Sequence, residues 1–78
     1  MGKGQTRIAN HIRQLRFQNG EMTQAELAER ICVTRQTVIA MEQGRYSPSL
    51  EVAFRTALAL KVPITEVFTY EDASGAKE

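Results

Sequence analysis

Two short helical segments separated by a very tight break constrain the fold of this 78-residue chain more than any other feature. Thr23 is a preferred N-cap residue, and Glu26 three positions later completes a capping-box signature, so a helix is predicted over 24–31. Thr34 is a second N-cap residue and predicts another helix over 35–43. The link between them has only about three residues, too few for a long antiparallel hairpin. The two helices must therefore cross at a steep angle.

Apolar periodicity predicts three further helices around this pair. Helix one is predicted over 6–18 because apolar residues recur at helical spacing, at Ile8, Ile12 and Leu15. Helix four is predicted to start after Ser49 and to bury a broad face made of Leu50, Ala53, Phe54, Ala57 and Leu58. Helix five is predicted over 64–68, and the alternation over 68–71 permits a short strand. The predicted fold class is all-α, a compact five-helix bundle in which helices two and three form a helix-turn-helix.

The length leaves room for one domain. Residues 6–70 are predicted to form it, with a C-terminal dimerisation region, between flexible tails at 1–5 and 71–78. No apolar run is longer than four residues, so no membrane span is predicted. The single cysteine, Cys32, cannot form an internal disulfide, which favours a reducing, cytoplasmic setting.

The sequence lacks the residue patterns that most enzymes need. One histidine, His11, and one cysteine cannot supply a three-ligand His/Cys metal cluster. No phosphate-binding loop, dinucleotide fingerprint or serine-hydrolase elbow occurs in the chain. We therefore predict a binding protein, with no catalytic residue, metal, cofactor or small-molecule ligand.

Charge is distributed unevenly along the chain, although the net charge is only +1. Residues 1–50 carry seven basic and four acidic residues, whereas residues 51–78 carry three basic and five acidic ones. A basic front and an acidic back suit a polyanion that meets the protein on one side.

The outward face of the predicted helix over 35–43 carries side chains suited to DNA. At about 100° per residue, Val38 and Met41 point inward. The opposite side carries Gln36, Ile39, Ala40 and Gln43, and the exposed first turn carries Thr34 and Arg35. Arginine can bind guanine, glutamine can bind adenine, and a small apolar side chain can contact a thymine methyl group. A solvated helix face has a similar composition, so both interpretations stay open at this point.

Three segments of the chain resemble one known family. They are T-Q-A-E-L-A-E-R-I at 23–31, V-T-R-Q-T-V at 33–38 and M-E-Q-G-R-Y-S-P-S-L at 41–50. They are similar to the Cro/phage-repressor (XRE-like) helix-turn-helix family, most of all to its short single-domain bacterial regulators. The resemblance covers roughly residues 7–70. It implies the helix-turn-helix fold and binding to double-stranded DNA.

The resemblance also implies roles for individual positions. Base reading is expected from Arg35, Gln36 and Ala40, and from Ile39 if it contacts a thymine methyl group. The resemblance implies phosphate contacts for Gln24, Thr34, Gln43 and Arg45. Apart from the resemblance, Thr37 and Tyr46 are also expected to contact phosphates, although Tyr46 alternatively packs the loop. Gln24 is also expected to brace the recognition helix. Arg16 and Glu42 match a structural ion pair between helices one and three.

The sequence departs from the family pattern at three positions. Cys32 stands where the turn normally has glycine, so either it adopts a left-handed conformation or the turn differs. Lys61 stands where glycine often ends helix four. Ile39 is apolar where the family is often polar. The thiol of Cys32 is either a small apolar group or a redox switch at the turn.

Apolar residues near the C-terminus are the expected dimer interface, because this region commonly forms a two-fold interface in the family. They are Leu60, Ile64, Val67, Phe68 and Tyr70. Alternatively, these residues close the core of the monomer. The predicted function is a homodimeric, sequence-specific repressor that reads palindromic half-sites in the major groove. The alternatives are a restriction–modification controller, an antitoxin-type regulator, or a protein-interaction module that does not bind DNA.

Overall fold

A computed structural model of the chain describes residues 7–71. Five helices lie between two short strands. Their bounds are β1 Ile8–Asn10, α1 Ile12–Gln18, α2 Gln24–Ile31, α3 Arg35–Glu42, α4 Leu50–Leu60, α5 Ile64–Val67 and β2 Phe68–Tyr70. The flexible tails predicted at 1–5 and 71–78 fall outside this range except for Glu71, whose N–H donates to the Arg7 carbonyl at 2.8 Å.

A two-stranded sheet corrects the all-α prediction. β1 and β2 pair antiparallel, with Asn10 opposite Phe68 and Ile8 opposite Tyr70. Helix one therefore starts at Ile12 and not at residue 6. The amide of Asn10 makes this break, because its Oδ1 accepts the Ile12 N–H at 3.1 Å while its Nδ2 donates to the Met41 carbonyl at 2.9 Å. Ile8 matched the helical period, but pairing with a strand sixty residues away determines its conformation.

Both N-caps of the central helix pair are formed. Thr23 Oγ1 accepts the Glu26 N–H at 3.0 Å, and Glu26 Oε1 accepts the Thr23 N–H at 2.9 Å, which completes the capping box. Thr34 Oγ1 accepts the Thr37 N–H at 3.1 Å. Each helix of the pair therefore begins at a position set by its own local sequence.

The turn between α2 and α3 keeps the left-handed geometry that glycine usually provides. Cys32 has φ 62° and ψ 43°, and the following Val33 N–H donates to the Ala28 carbonyl at 3.0 Å. Lys61 ends α4 in the same conformation, with φ 63° and ψ 38°. For a residue with a Cβ, this conformation has a free-energy cost of about 1–2 kcal/mol. The chain therefore retains the family-like turn without its glycine.

The core lies where the five helices meet. Its fully buried apolar side chains are Ile12, Leu27, Ile31, Val38 and Val67. Ala28 is also buried, which lets α2 approach its neighbours closely. Val38 and Met41 form the inward side of α3, as the helical period predicted. α3 is thereby fixed to the body by one side only.

Helix α4 is rotated relative to the prediction. Its buried residues are Ala53, Thr56, Ala57 and Leu60. The three largest residues of the predicted inward face are exposed instead, with fractions of 71% for Leu50, 51% for Phe54 and 78% for Leu58. Small side chains allow α4 to pack closely on α2, and the Thr56 hydroxyl is satisfied by the Val52 carbonyl at 2.8 Å. The period identified the helix, but side-chain size and packing decided its orientation.

Candidate nucleic-acid interface

The outer side of α3 is open to solvent. Arg35 and Gln36 are exposed, and Ile39 and Ala40 are half-buried. All four lie on the helix that buries Val38 and Met41 on its other side. The four residues predicted to read bases therefore share one helix, and the described chain does not bury any of them.

The first turn of α3 presents two threonine hydroxyls. Thr34 is exposed and caps the helix, and its Oγ1 lies 3.0 Å from Thr37 Oγ1. One hydroxyl of such a pair donates to the other, so a donor remains for an external acceptor. This turn can therefore offer a hydroxyl proton to an anion beside the helix.

An ion-pair network fixes α3 against α1 and α2. Arg16 Nε donates to Glu42 Oε2 at 2.7 Å, and Arg16 Nη1 donates to the Met22 carbonyl, also at 2.7 Å. Gln24 Nε2 donates to Glu42 Oε1 at 3.1 Å. The side chains of Arg16 and Glu42 are only 7% and 10% exposed. The network thus holds α3 in place, and Gln24 connects α2 to it.

The segment after α3 adds further polar groups. Arg45 Nε donates to Gln43 Oε1 at 2.8 Å, and both residues are exposed. Tyr46 follows, with an exposed fraction of 41%. The bond to Arg45 orients the amide of Gln43 and leaves its NH₂ group available as a donor. These groups extend the polar surface beyond the end of the helix.

A cleft of 640 Å³ runs between α1 and α3. Four predicted interface residues line it: Gln24, Arg35, Ile39 and Gln43. Arg13 and Phe17 of α1 line it as well, and the sequence interpretation did not include them. The signal for them was present, because they are an Arg–Phe pair at i and i+4 on the side of α1 away from Ile12 and Leu15.

The predicted dimer residues fall into two groups. Leu60 and Val67 belong to the core, with exposed fractions of 3% and 0%, so their assignment to a dimer interface is corrected. Side chains with so little accessible surface offer almost nothing for a second chain to contact. Ile64 and Phe68 are half-buried and Tyr70 is 67% exposed. These three line a shallow apolar groove of 290 Å³ together with Ile8.

Among residues 7–71, no three His, Cys, Asp or Glu side chains are grouped so that they could hold a metal ion. Over the same range, every helix is too short or too polar to cross a membrane.

Comparison with known proteins gives concordant matches. A family model described as helix-turn-helix matches residues 12–67. An uncharacterized HTH-type transcriptional regulator of Methanothermobacter thermautotrophicus is 55% identical over 67 residues, covering 85% of this chain and 94% of the relative. The uncharacterized HTH-type regulator YgzD of Bacillus subtilis is 40% identical over 65 residues, covering 83% of this chain and 97% of the relative.

A solved structure gives the same result for the fold. A crystal structure of a protein from Bacteroides fragilis superposes with a TM-score of 0.69 at 21% sequence identity, and the match covers 80% of this chain and 98% of that one. The family resemblance of the three sequence segments is therefore confirmed by an independent family match over most of the chain. This chain belongs to the Cro/phage-repressor (XRE-like) family of helix-turn-helix proteins.

Proposed function

We propose that this protein is a transcriptional regulator that binds double-stranded DNA and recognises its sequence through α3. The observation that carries the proposal is the open outer side of α3, where Arg35, Gln36, Ile39 and Ala40 lie together. The major groove is wide enough for one helix, and it presents a different donor and acceptor pattern for each base pair. A guanidinium, an amide and two apolar groups on one helix face match the guanine, adenine and thymine features of that pattern.

The residues around α3 hold the DNA backbone in this proposal. Gln24 on α2, and Thr34, Gln43 and Arg45 before and after α3, offer amide, hydroxyl and guanidinium donors. Such contacts fix the register of a protein on the duplex and carry little sequence information. The relatives named as HTH-type transcriptional regulators support the same assignment for this chain.

Selection of bound duplexes from a random pool tests the proposal directly. Sequence reading by α3 predicts enrichment of a short motif, and a two-fold dimer predicts two inverted copies of it, centred about 34 Å or a multiple apart. A pool that stays unenriched while the protein remains folded would contradict DNA reading and would favour the interaction module.

We further propose that two copies meet through Ile64, Phe68 and Tyr70. These residues and Ile8 line an apolar groove, and Tyr70 is 67% exposed. One recognition helix covers only a few base pairs, so a second copy doubles the length of DNA that is read. A second copy also covers apolar surface that a small domain cannot bury alone.

Sedimentation of single variants distinguishes this interface from the exposed side of α4. Tyr70→Glu should convert the dimer to a monomer, because two carboxylates would be buried across the two-fold axis. Leu58→Glu, on α4, is the matched control and should stay dimeric. The reverse result, a monomer only with Leu58→Glu, would place the interface on α4.

Repression is the regulatory outcome we propose, because a bound dimer that covers a promoter excludes other proteins from it. A reporter driven by a promoter that contains the selected site should be more active without the protein than with it. Higher activity in the presence of the protein would contradict repression and leave DNA reading intact.

A further inference from the structure

Arg13 and Phe17 form an exposed cation–aromatic pair on α1, outside the helix-turn-helix of α2 and α3. Both lie on α1, and the ring of Phe17 is 53% exposed. The guanidinium carbon of Arg13 lies 5.6 Å from the centre of this ring, and that of Arg16 lies 5.5 Å from it. The distances fit cation–π contact, in which the ring face attracts a positive charge. Phe17 therefore differs from an isolated apolar residue on the surface, because two guanidinium groups lie against its ring.

The position of this ring is linked to the recognition helix. Arg16 contacts the ring, and the same guanidinium is held by Glu42 of α3 at 2.7 Å. Because Arg16 is buried and bonded on several sides, it provides a rigid support for Phe17. Arg13 and Phe17 therefore keep a defined place relative to the base-reading side of α3.

The lining of the cleft between α1 and α3 carries a net charge of +1, from three arginines and two glutamates. Arg13 lies on one wall and Arg35 on the other. Arg16 and Glu42 at its base neutralise each other, and Glu21 is the other acidic lining residue. Within residues 7–71, neither Arg13 nor Arg35 forms an ion pair. Two free guanidinium groups and an apolar ring together match a phosphate joined to a sugar.

We propose that this cleft receives the DNA backbone next to the groove that α3 enters, with Arg13 on a phosphate and Phe17 against the adjoining deoxyribose. The inference rests on the proposed DNA binding and extends its contact surface to α1. Backbone is the expected partner, because the base edges lie inside the groove that α3 occupies. Arg13 thus adds affinity without adding sequence preference.

The test compares Arg13→Gln and Phe17→Leu with the wild-type protein on the selected duplex over a range of salt concentrations. Arg13→Gln should weaken binding about tenfold, as for loss of a charged hydrogen bond. It should also reduce the salt slope by about 0.9, the value for one phosphate. Phe17→Leu should weaken binding about threefold, because the ring that supports Arg13 is lost. The preferred bases should not change.

Arg30→Gln is the matched control, because Arg30 is an exposed arginine of α2 that does not line the cleft. It should retain wild-type affinity and salt slope. Circular dichroism melting curves establish that each variant is folded. If Phe17→Leu fails to fold, Arg13→Gln alone decides the result.

Neutral methylphosphonate linkages, placed one at a time in the duplex, identify the contacted phosphate. At one position, the neutral linkage should weaken DNA binding by the wild-type protein. It should cause no further loss of binding by the Arg13→Gln variant. Wild-type affinity and slope in Arg13→Gln, with the duplex still bound, would overturn this inference and leave the proposed function intact. Failure of the wild-type protein to select any duplex would overturn both.

Discussion

Arg16 joins three parts of the fold through one guanidinium group. It lies on α1, binds Glu42 on α3, and donates to the Met22 carbonyl just before α2. Burying a charge is costly unless its hydrogen bonds are satisfied, and within the described chain no buried side-chain polar atom lacks a partner. The pair therefore fixes the relative position of these elements more than it adds net stability.

Arg16→Ala should reduce the free energy of unfolding by about 3–5 kcal/mol, because Glu42 would keep a nearly buried charge without its partner. Urea unfolding measures the change. Glu51→Gln is the control: its pair with Arg55 is exposed, so its loss should cost less than about 1 kcal/mol. Equal losses in the two variants would contradict the role given to the buried pair.

Cys32→Gly should raise the free energy of unfolding by about 1 kcal/mol, because glycine adopts φ near +60° without a Cβ penalty. Cys32→Ala removes the thiol but keeps the Cβ, so it should bring no such gain. Chemical denaturation compares the two. A gain of the same size in Cys32→Ala would assign the effect to the thiol and not to the backbone.

Gln36→Ala should cost about 1–3 kcal/mol of specific binding and relax the preference at one base step of the selected duplex. Arg45→Ala should weaken all duplexes nearly equally, because a phosphate contact does not depend on sequence. Titration of the selected duplex and of scrambled duplexes separates these effects. Unchanged binding of the selected duplex by Gln36→Ala would remove this residue from the base-reading set.

Among the helices and strands, some are determined by local sequence signals and others by long-range packing, and only the first kind could be predicted from the sequence. The caps at Thr23, Thr34 and Ser49 each depend on hydrogen bonds within three residues, so the sequence predicted these helix starts correctly. β1 depends on pairing with a distant segment, and no local signal opposed its interpretation as part of helix one. The spacing of Arg13 and Phe17 places them together on the outer side of α1, but only the packing of α1 beside α3 brings them to the cleft.

The orientation of α4 shows the same limit. Helical spacing allows an apolar face through Leu50, Phe54 and Leu58 as well as one through Ala53 and Ala57. The fold uses the small residues for close packing. Periodicity alone contains no information on which face a neighbouring helix can approach.

Ala57→Leu should therefore reduce the free energy of unfolding by about 1–3 kcal/mol, because extra methyl groups must fit into a packed contact. Leu58→Ala, one residue along the same helix, should change it by less than about 0.5 kcal/mol, because this side chain is 78% exposed. Thermal or urea unfolding compares the two. A larger loss in Leu58→Ala would favour the orientation that the sequence predicted.

At the scale of the molecule, charge and fold agree. The basic N-terminal part of the chain, residues 1–50, contains α1, α2 and α3, the helices around the cleft. The acidic C-terminal part, residues 51–78, contains α5, β2 and all of α4 except its first residue. A net charge of only +1 makes non-specific attraction to DNA modest, so the local arrangement of arginines must provide most of the backbone affinity.

Nuclear magnetic resonance of the side-chain amide groups tests whether α3 is the helix that binds DNA. On addition of the selected duplex, the NH₂ signals of Gln36 and Gln43 should shift, because both lie on the side of α3 assigned to DNA. Gln18 and Asn19 line a different groove, and the Asn19 amide donates to the Ala59 carbonyl. The NH₂ signals of these two residues should therefore stay unchanged. Shifts at Gln18 and Asn19 with none at Gln36 and Gln43 would contradict recognition of DNA by α3.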